Sequence, residues 1–265
     1  MNKDTENKSE ITKNKKFRNI TKTVVIPLTI ICGVSLFFRL FYFPYDIPLT
    51  HDAVGYFWYA IDTTVLEKFP TDYSFPNTGW PMFLSLVFGI FDSNNFIDYM
   101  TIQRLSTIII STLTVIPVYF LCKKFFNNSL SLLGALLFAF EPHMIQNSLL
   151  GLTDTLYIFL ITVSFVLLQS SNKKLVYLSF AIAGLSSIVR YEGLVFLAVL
   201  TITFFIKFRK EKLVVLKYLF AIGIFILILL PVMNLRINDN GEDGLTSHIF
   251  SHAKVTSDIS SNQSE

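Results

Sequence analysis

Trp80-Pro-Met-Phe-Leu-Ser-Leu-Val-Phe-Gly-Ile-Phe91 is the stretch on which the reading of the chain turns. As a helix these residues rise only about 18 Å, against a bilayer core of about 30 Å. A crossing here would invert the side of everything that follows, so the flanking charges have to decide. Seven Lys and Arg residues lie in positions 1–22, which places the N-terminus in the cytoplasm. Val24 to Phe41 is then a first span running outward. If residues 80–91 lie on the surface, with Pro81 at the helix start and Trp80 at the interface, the next span, about Arg104 to Leu121, runs inward to Lys123-Lys124. Ser129–Phe140, Thr155–Leu168, Leu175–Val189, Leu194–Ile206 and Val214–Met233 follow in alternation. Lys173-Lys174 and the cluster Lys207, Arg209, Lys210 and Lys212 then also fall inside. A crossing at 80–91 would put all three later basic clusters on the wrong side.

The expectation is an all-α polytopic membrane protein with about seven transmembrane helices. Its long first outer loop, residues 42–100, would hold juxtamembrane helices. Residues 1–22 form a cytoplasmic basic tail, residues 23–235 the transmembrane module, and residues 236–265 a polar extracytoplasmic tail. That tail reads as unfolded by itself or as the start of a further region. Composition agrees: 52% hydrophobic and 15% charged residues, with mean hydropathy +0.54, exclude an ordinary soluble domain. The basic residues form small clusters with no regular basic face, which excludes nucleic acid as a partner. Cys32 and Cys122 each lie in or at the end of an apolar run, without metal-type spacing.

Between the first span and the short apolar stretch lies Phe43-Pro-Tyr-Asp-Ile-Pro-Leu-Thr-His-Asp-Ala-Val-Gly-Tyr-Phe-Trp-Tyr-Ala-Ile-Asp62. Its prolines hold it extended to Leu49, and Thr50 can cap a helix beginning at His51. Val54, Phe57, Ala60, Ile61 and Val65 recur at helical spacing, so the helix lies along a surface, with Asp52 in its first turn and Tyr56 and Tyr59 further along one face. The topology brings the unusual polar residues to the same outer side. His51 and Asp52 come from the first loop, Glu141, His143, Gln146, Asn147 and Asp154 from the next, and Arg190 and Glu192 from the third. Ionisable groups at membrane depth are costly and point to function. Each also has a plainer reading. Asp52 and Asp154 are first-turn acids that a helix dipole favours, and Arg190 and Glu192 are a pair within a tight turn. Glu141 and His143 flank a span, and the tyrosines and tryptophans of residues 45–80 form an interfacial belt.

Thr50-His-Asp-Ala-Val-Gly-Tyr-Phe-Trp-Tyr-Ala60, Asn77-Thr-Gly-Trp-Pro-Met-Phe83, Arg104-Leu-Ser106, Ser148-Leu-Leu-Gly-Leu-Thr-Asp154 and Ser187-Ile-Val-Arg-Tyr-Glu-Gly-Leu194 occur in an order that resembles the GT-C membrane glycosyltransferases. The likeness is to the group of dolichyl-phosphate-mannose protein mannosyltransferases and aminoarabinose lipid A transferases, over roughly residues 20–235. His51-Asp52 stands where that family often has two acids, and family members are usually longer, so the chain reads as a truncated, split or incomplete enzyme. The resemblance implies sugar transfer from a polyprenyl- or dolichyl-phosphate donor to a protein, lipid or glycan acceptor outside the plasma membrane, or in the endoplasmic reticulum of a eukaryote. It implies Asp52 as general base and Asp154 beside it in catalysis, with substrate contacts from His51, Tyr56, Arg190 and Glu192, Arg190 meeting the lipid phosphate. A divalent cation, if one takes part, has candidate ligands in Asp52, Asp154, Glu141 and His143. No acid or base is expected mid-span, which argues against a transporter, while a non-catalytic GT-C-like subunit stays open.

Overall fold

A computed structural model describes residues 21–67, 70, 78–91 and 93–240, and the regular elements among them are all helices, without strands. A π-helical turn, Thr21–Val25, leads into α1 (Ile26–Phe41). Then come α2 (Asp52–Leu66), α3 (Gly79–Phe88), α4 (Phe96–Cys122), α5 (Asn128–Ala139), α6 (Pro142–Leu150), α7 (Asp154–Leu168), α8 (Lys173–Val189), α9 (Gly193–Phe208) and α10 (Val214–Asn240). Helix starts follow the capping rules. The side chains of Asn95, Asn127, Glu141 and Asn172 each accept a hydrogen bond from a backbone N–H in the first turn of α4, α5, α6 and α8.

Three helices are long and apolar enough to cross a membrane: residues 22–41, 96–122 and 214–238. Four more, α3, α5, α7 and α9, are apolar but shorter. The sides of the bundle are strongly apolar, with Ile30, Phe37, Leu137, Ile202, Ile206 and Leu227 all exposed. A water-soluble surface does not carry so much bare hydrocarbon, and a bilayer covers it. Inside, helices meet through small polar residues. Ser164 donates to the Ser179 carbonyl at 2.8 Å, joining α7 to α8, and Ser35 donates to the Ala139 carbonyl at 3.4 Å, joining α1 to α5. Small residues suit this role because apolar side chains gain little by leaving lipid for protein, so close packing and hydrogen bonds hold the helices.

The apolar core has three parts. Val115, Tyr119, Ala135 and Ala139 join α4 to α5, with α1 residues against them. Phe180, Ala183, Leu200, Phe204 and Phe225 join α8, α9 and α10. Ala53, Tyr56, Phe57, Trp80, Leu84 and Phe88 join α2 to α3, and Leu152 and Leu156 pack against them. α3 approaches α8 so closely that a Cβ on Gly79 would lie 2.7 Å from the backbone nitrogen of Val189.

Several expectations need correction. α2 begins at Asp52, and Thr50 is not its cap. His51 holds the N-cap position with φ 53° and no side-chain hydrogen bond to the helix. Trp80 is fully buried instead of lying at an interface, and Tyr56 and Tyr59 are buried too, so among the described residues of the expected belt only Tyr45 and Trp58 are exposed. α4 starts at Phe96, which puts Arg104 inside the helix and not at its mouth. The turn between α5 and α7 contains a helix of its own, α6, and α10 runs to Asn240 instead of ending near Met233. Asn77 and residues 241–265 lie outside the described residues.

Bases do occur within these helices. Arg39 is completely buried in α1, and its guanidinium donates to the Ser148 hydroxyl (3.2 Å), the Ala139 carbonyl (3.0 Å) and the Ser111 hydroxyl (3.0 Å), and also to the Ser35 hydroxyl. Ala139 ends α5, so the cation sits where that helix's unpaired carbonyls and negative dipole end gather. Arg39→Leu would leave those acceptors orphaned at a cost of about 3 kcal/mol. We expect its thermal midpoint in detergent to fall sharply and Arg39→Lys to recover only part. An unchanged midpoint in Arg39→Leu would contradict this role.

Candidate active site

Gly151 ends α6 in the left-handed conformation, with φ 77°, and turns the chain toward α7. Its carbonyl accepts hydrogen bonds from Gln103 Nε2 at 2.9 Å and Trp80 Nε1 at 3.1 Å. The same Gln103 nitrogen donates to the Ala53 carbonyl at 3.0 Å. Both donors are fully buried, so little water competes for these bonds. One amide therefore ties the first turn of α2 to the turn before Asp154. Next to it, Arg104 donates to the Leu149 carbonyl at 3.1 Å and the Pro48 carbonyl at 3.0 Å, and also to Ile47. Thr107 adds a 2.7 Å hydrogen bond to the Ser148 carbonyl.

Beyond this clamp lies an ion cluster. Arg190 Nη1 meets Asp154 Oδ1 at 2.5 Å, while Nη2 and Nε meet the two Glu192 oxygens at 2.7 and 3.2 Å. Each charge stands at a helix end of suitable sign. Asp154 opens α7, Arg190 follows the last residue of α8, and Glu192 precedes the first residue of α9. The hydrogen bond with Glu192 is the largest cause holding the Arg190 guanidinium even more firmly charged than usual. Burial opposes it, and Asp154, the Glu192 charge and Tyr56 reinforce it. The Tyr157 ring lies 6.0 Å from the guanidinium carbon. All three side chains are a quarter to a third exposed, so the cluster is open to solvent on one side. With two carboxylates on one guanidinium it carries a net negative charge.

The structure thus brings Asp154, Arg190 and Glu192 together, with Tyr56 near enough for its charge to be felt at Arg190. The fork of Arg190 is occupied by the chain's own carboxylates, so an incoming phosphate would have to displace one of them. Asp52 is different. It is exposed at the start of α2, one turn before Tyr56, and makes no hydrogen bond or ion pair among the described residues. His51 beside it is exposed and holds a positive φ that a non-glycine residue seldom adopts. Glu141 is spent as a helix cap, accepting from Met144 N at 2.7 Å, and His143 is exposed on α6. Among the described residues, no three His, Cys, Asp or Glu side chains gather where a metal ion would sit. Of the four residues considered as cation ligands, Asp154 is bound to Arg190 and Glu141 to its cap, while Asp52 and His143 are exposed. Gln103, Trp80, Arg104 and Tyr157 were not anticipated. The adjacent pair Gln103-Arg104, in a helix whose one other charged residue is Asp98, was the signal available for two of them.

No curated protein and no solved structure matches the chain. The family model described as dolichyl-phosphate-mannose-protein mannosyltransferase matches residues 76–234, from just before α3 to within α10. That match covers Trp80, Gln103, Gly151, Asp154, Arg190 and Glu192, and begins after α2. With well over half of its length matched, the chain belongs to the dolichyl-phosphate-mannose-protein mannosyltransferase family, a group of GT-C membrane glycosyltransferases.

Proposed function

We propose that the chain transfers a sugar from a polyprenyl- or dolichyl-phosphate donor to a hydroxyl or amine of a protein, lipid or glycan acceptor, with Asp52 as general base. The observation that carries this reading is the contrast among the acids of the site. Asp154 and Glu192 are bound to Arg190, whereas Asp52 is uncommitted and sits beside the carbonyl that Gln103 clamps. A base must be able to accept a proton, and an acid held in an ion pair is poorly placed to do so. In the transfer, the acceptor oxygen or nitrogen forms a bond to the anomeric carbon as the bond from that carbon to the phosphate oxygen breaks. The phosphate leaves with the electron pair, and the acceptor proton passes to Asp52. The family leads us to expect inversion at the sugar carbon. His51 and Tyr56 flank the acceptor, Asp154 orients it, and Arg190 meets the donor phosphate when Glu192 gives up its two hydrogen bonds.

In the same reading α1, α4, α5, α7, α8, α9 and α10 cross the membrane, with residues 1–22 cytoplasmic and the site outside. α2 and α3 lie in the outer loop, and residues 236–265 form the extracytoplasmic tail. In support, Lys124, Lys173, Lys207 and Lys217 meet one another's helices at the end of the bundle away from Arg190. Lys124 and Lys207 reach the end of α7, while Lys173 and Lys217 share Glu211. α5 and α7, at 12 and 15 residues, rise only about 18 and 22 Å. Phe125, Phe126 and Phe140 therefore also lie within the apolar layer.

Two experiments test the proposal. Membranes holding the chain are assayed for transfer from a radiolabelled polyprenyl-phosphate sugar. Asp52→Asn should lower the rate by roughly 10²- to 10⁴-fold, and an unaltered rate would remove Asp52 as the base. In a background lacking Cys32 and Cys122, a cysteine in place of Asn94 should react with an impermeant maleimide on intact cells, and one in place of Lys210 only after permeabilisation. The reverse pattern would invert the topology.

A further inference from the structure

On the flank of the bundle, α4 and α7 leave an open groove of about 330 Å³ with no polar lining. Ile116, Pro117 and Phe120 form one wall, Phe159, Val163 and Leu167 the other. Pro117 has no N–H to donate to the preceding turn of α4, and its ring keeps that backbone from closing in. From Leu113 to Phe120 the groove runs about 10 Å along α4, enough for part of a hydrocarbon chain and far short of the full bilayer core.

What lies at its end is charged. Lys124 is one turn beyond Phe120, and its ammonium donates to the Gln169 carbonyl at 3.3 Å, just past the end of α7. Lys207 arrives from α9, donating to the Leu168 carbonyl at 2.6 Å and also to that of Ser170. Two ammonium groups thus converge on three consecutive carbonyls directly after groove residue Leu167. Neither has a carboxylate partner among the described residues. Glu211, one turn after Lys207, is taken by Lys217 and by Lys173 at 3.2 Å, and their hydrogen bonds, that of Lys217 first, hold its carboxyl below the usual range. Lys123, exposed beside Lys124, adds a third cation without a carboxylate partner among the described residues. The carbonyls at the end of α7 offset only part of this charge.

We propose that this groove is a binding site for an anionic phospholipid of the surrounding membrane, with an acyl chain along α4 and α7 and the headgroup phosphate on Lys124 and Lys207. The joining of an apolar slot to two basic residues is what a lipid phosphate with its tail requires, and a zwitterionic lipid would gain much less from the lysines. The site lies at the end of the bundle away from Arg190 and does not depend on the assignment of Asp52.

The test is native mass spectrometry of the purified, delipidated full chain titrated with dioleoyl-phosphatidylglycerol or dioleoyl-phosphatidylcholine. The expected result is a preference of about tenfold for the anionic lipid. Lys124→Gln with Lys207→Gln should abolish it, and Lys124→Arg with Lys207→Arg should keep it, which separates lost charge from lost capping of α7. Val163→Trp, which fills the groove, should weaken binding of both lipids. Equal binding of the two lipids by the wild-type chain, or an unchanged preference in the double Gln variant, would overturn the proposal. So would a polyprenyl phosphate that displaces phosphatidylglycerol at equal concentration, since it would assign the groove to the donor's lipid.

Discussion

The carbonyl of Gly151 takes hydrogen bonds from two buried side chains that come from different helices, Trp80 of α3 and Gln103 of α4. Gln103 reaches in the same gesture to the Ala53 carbonyl. With Arg104 beside it, this clamp fixes the start of α2 against the turn that delivers Asp154. The clamp works because Gly151 adopts a left-handed conformation that a side chain would strain. A Cβ there would also press to 3.2 Å against Gln103. This end of the molecule is therefore held by backbone geometry at Gly151, by one amide that donates twice and by the Arg104 guanidinium next to it.

The charges are placed by a related logic. Arg39 and Arg104 are buried without a carboxylate among the described residues, which in an apolar medium costs a great deal unless every donor finds an acceptor. Here the acceptors include the last carbonyls of α5 and α6, which no longer have helical partners. Around Arg190 the rule runs the other way, with carboxylates at helix starts and the cation at a helix end. Broken, short helices thus provide both the solvation for buried bases and the assembly point for the ion cluster. This is why the polar residues concentrate where α5, α6, α7, α8 and α9 begin or end.

Much of the helical framework was legible because apolar runs and basic clusters are local signals. Each stretch expected as a span lies on a helix. Membership of the mannosyltransferase family was legible too, from motifs in order along the chain. The pairing of distant partners was not, whereas Arg190 with Glu192, two residues apart, was read as a pair and is one. Arg190 with Asp154 joins residues 36 positions apart, and Arg39 with Ala139 joins residues 100 apart. Nothing in the pattern of either segment names the other. Trp80 shows the same limit: its indole suits an interface by composition, yet a single carbonyl across the bundle draws it fully inside. Glu141, read as a flank of a span, instead caps the separate short helix α6 with its carboxylate.

The central claim is that the Gln103 clamp positions Asp52 for chemistry without itself touching substrate. Its most direct test is the transfer rate of Gln103→Leu, normalised to folded protein and measured with saturating donor and acceptor. A misplacement of about 1 Å at a reacting group costs roughly a hundredfold. The account predicts a fall in kcat of that order while the KM for the polyprenyl-phosphate sugar stays near that of the unaltered chain. A folded Gln103→Leu enzyme that retains full kcat would contradict it.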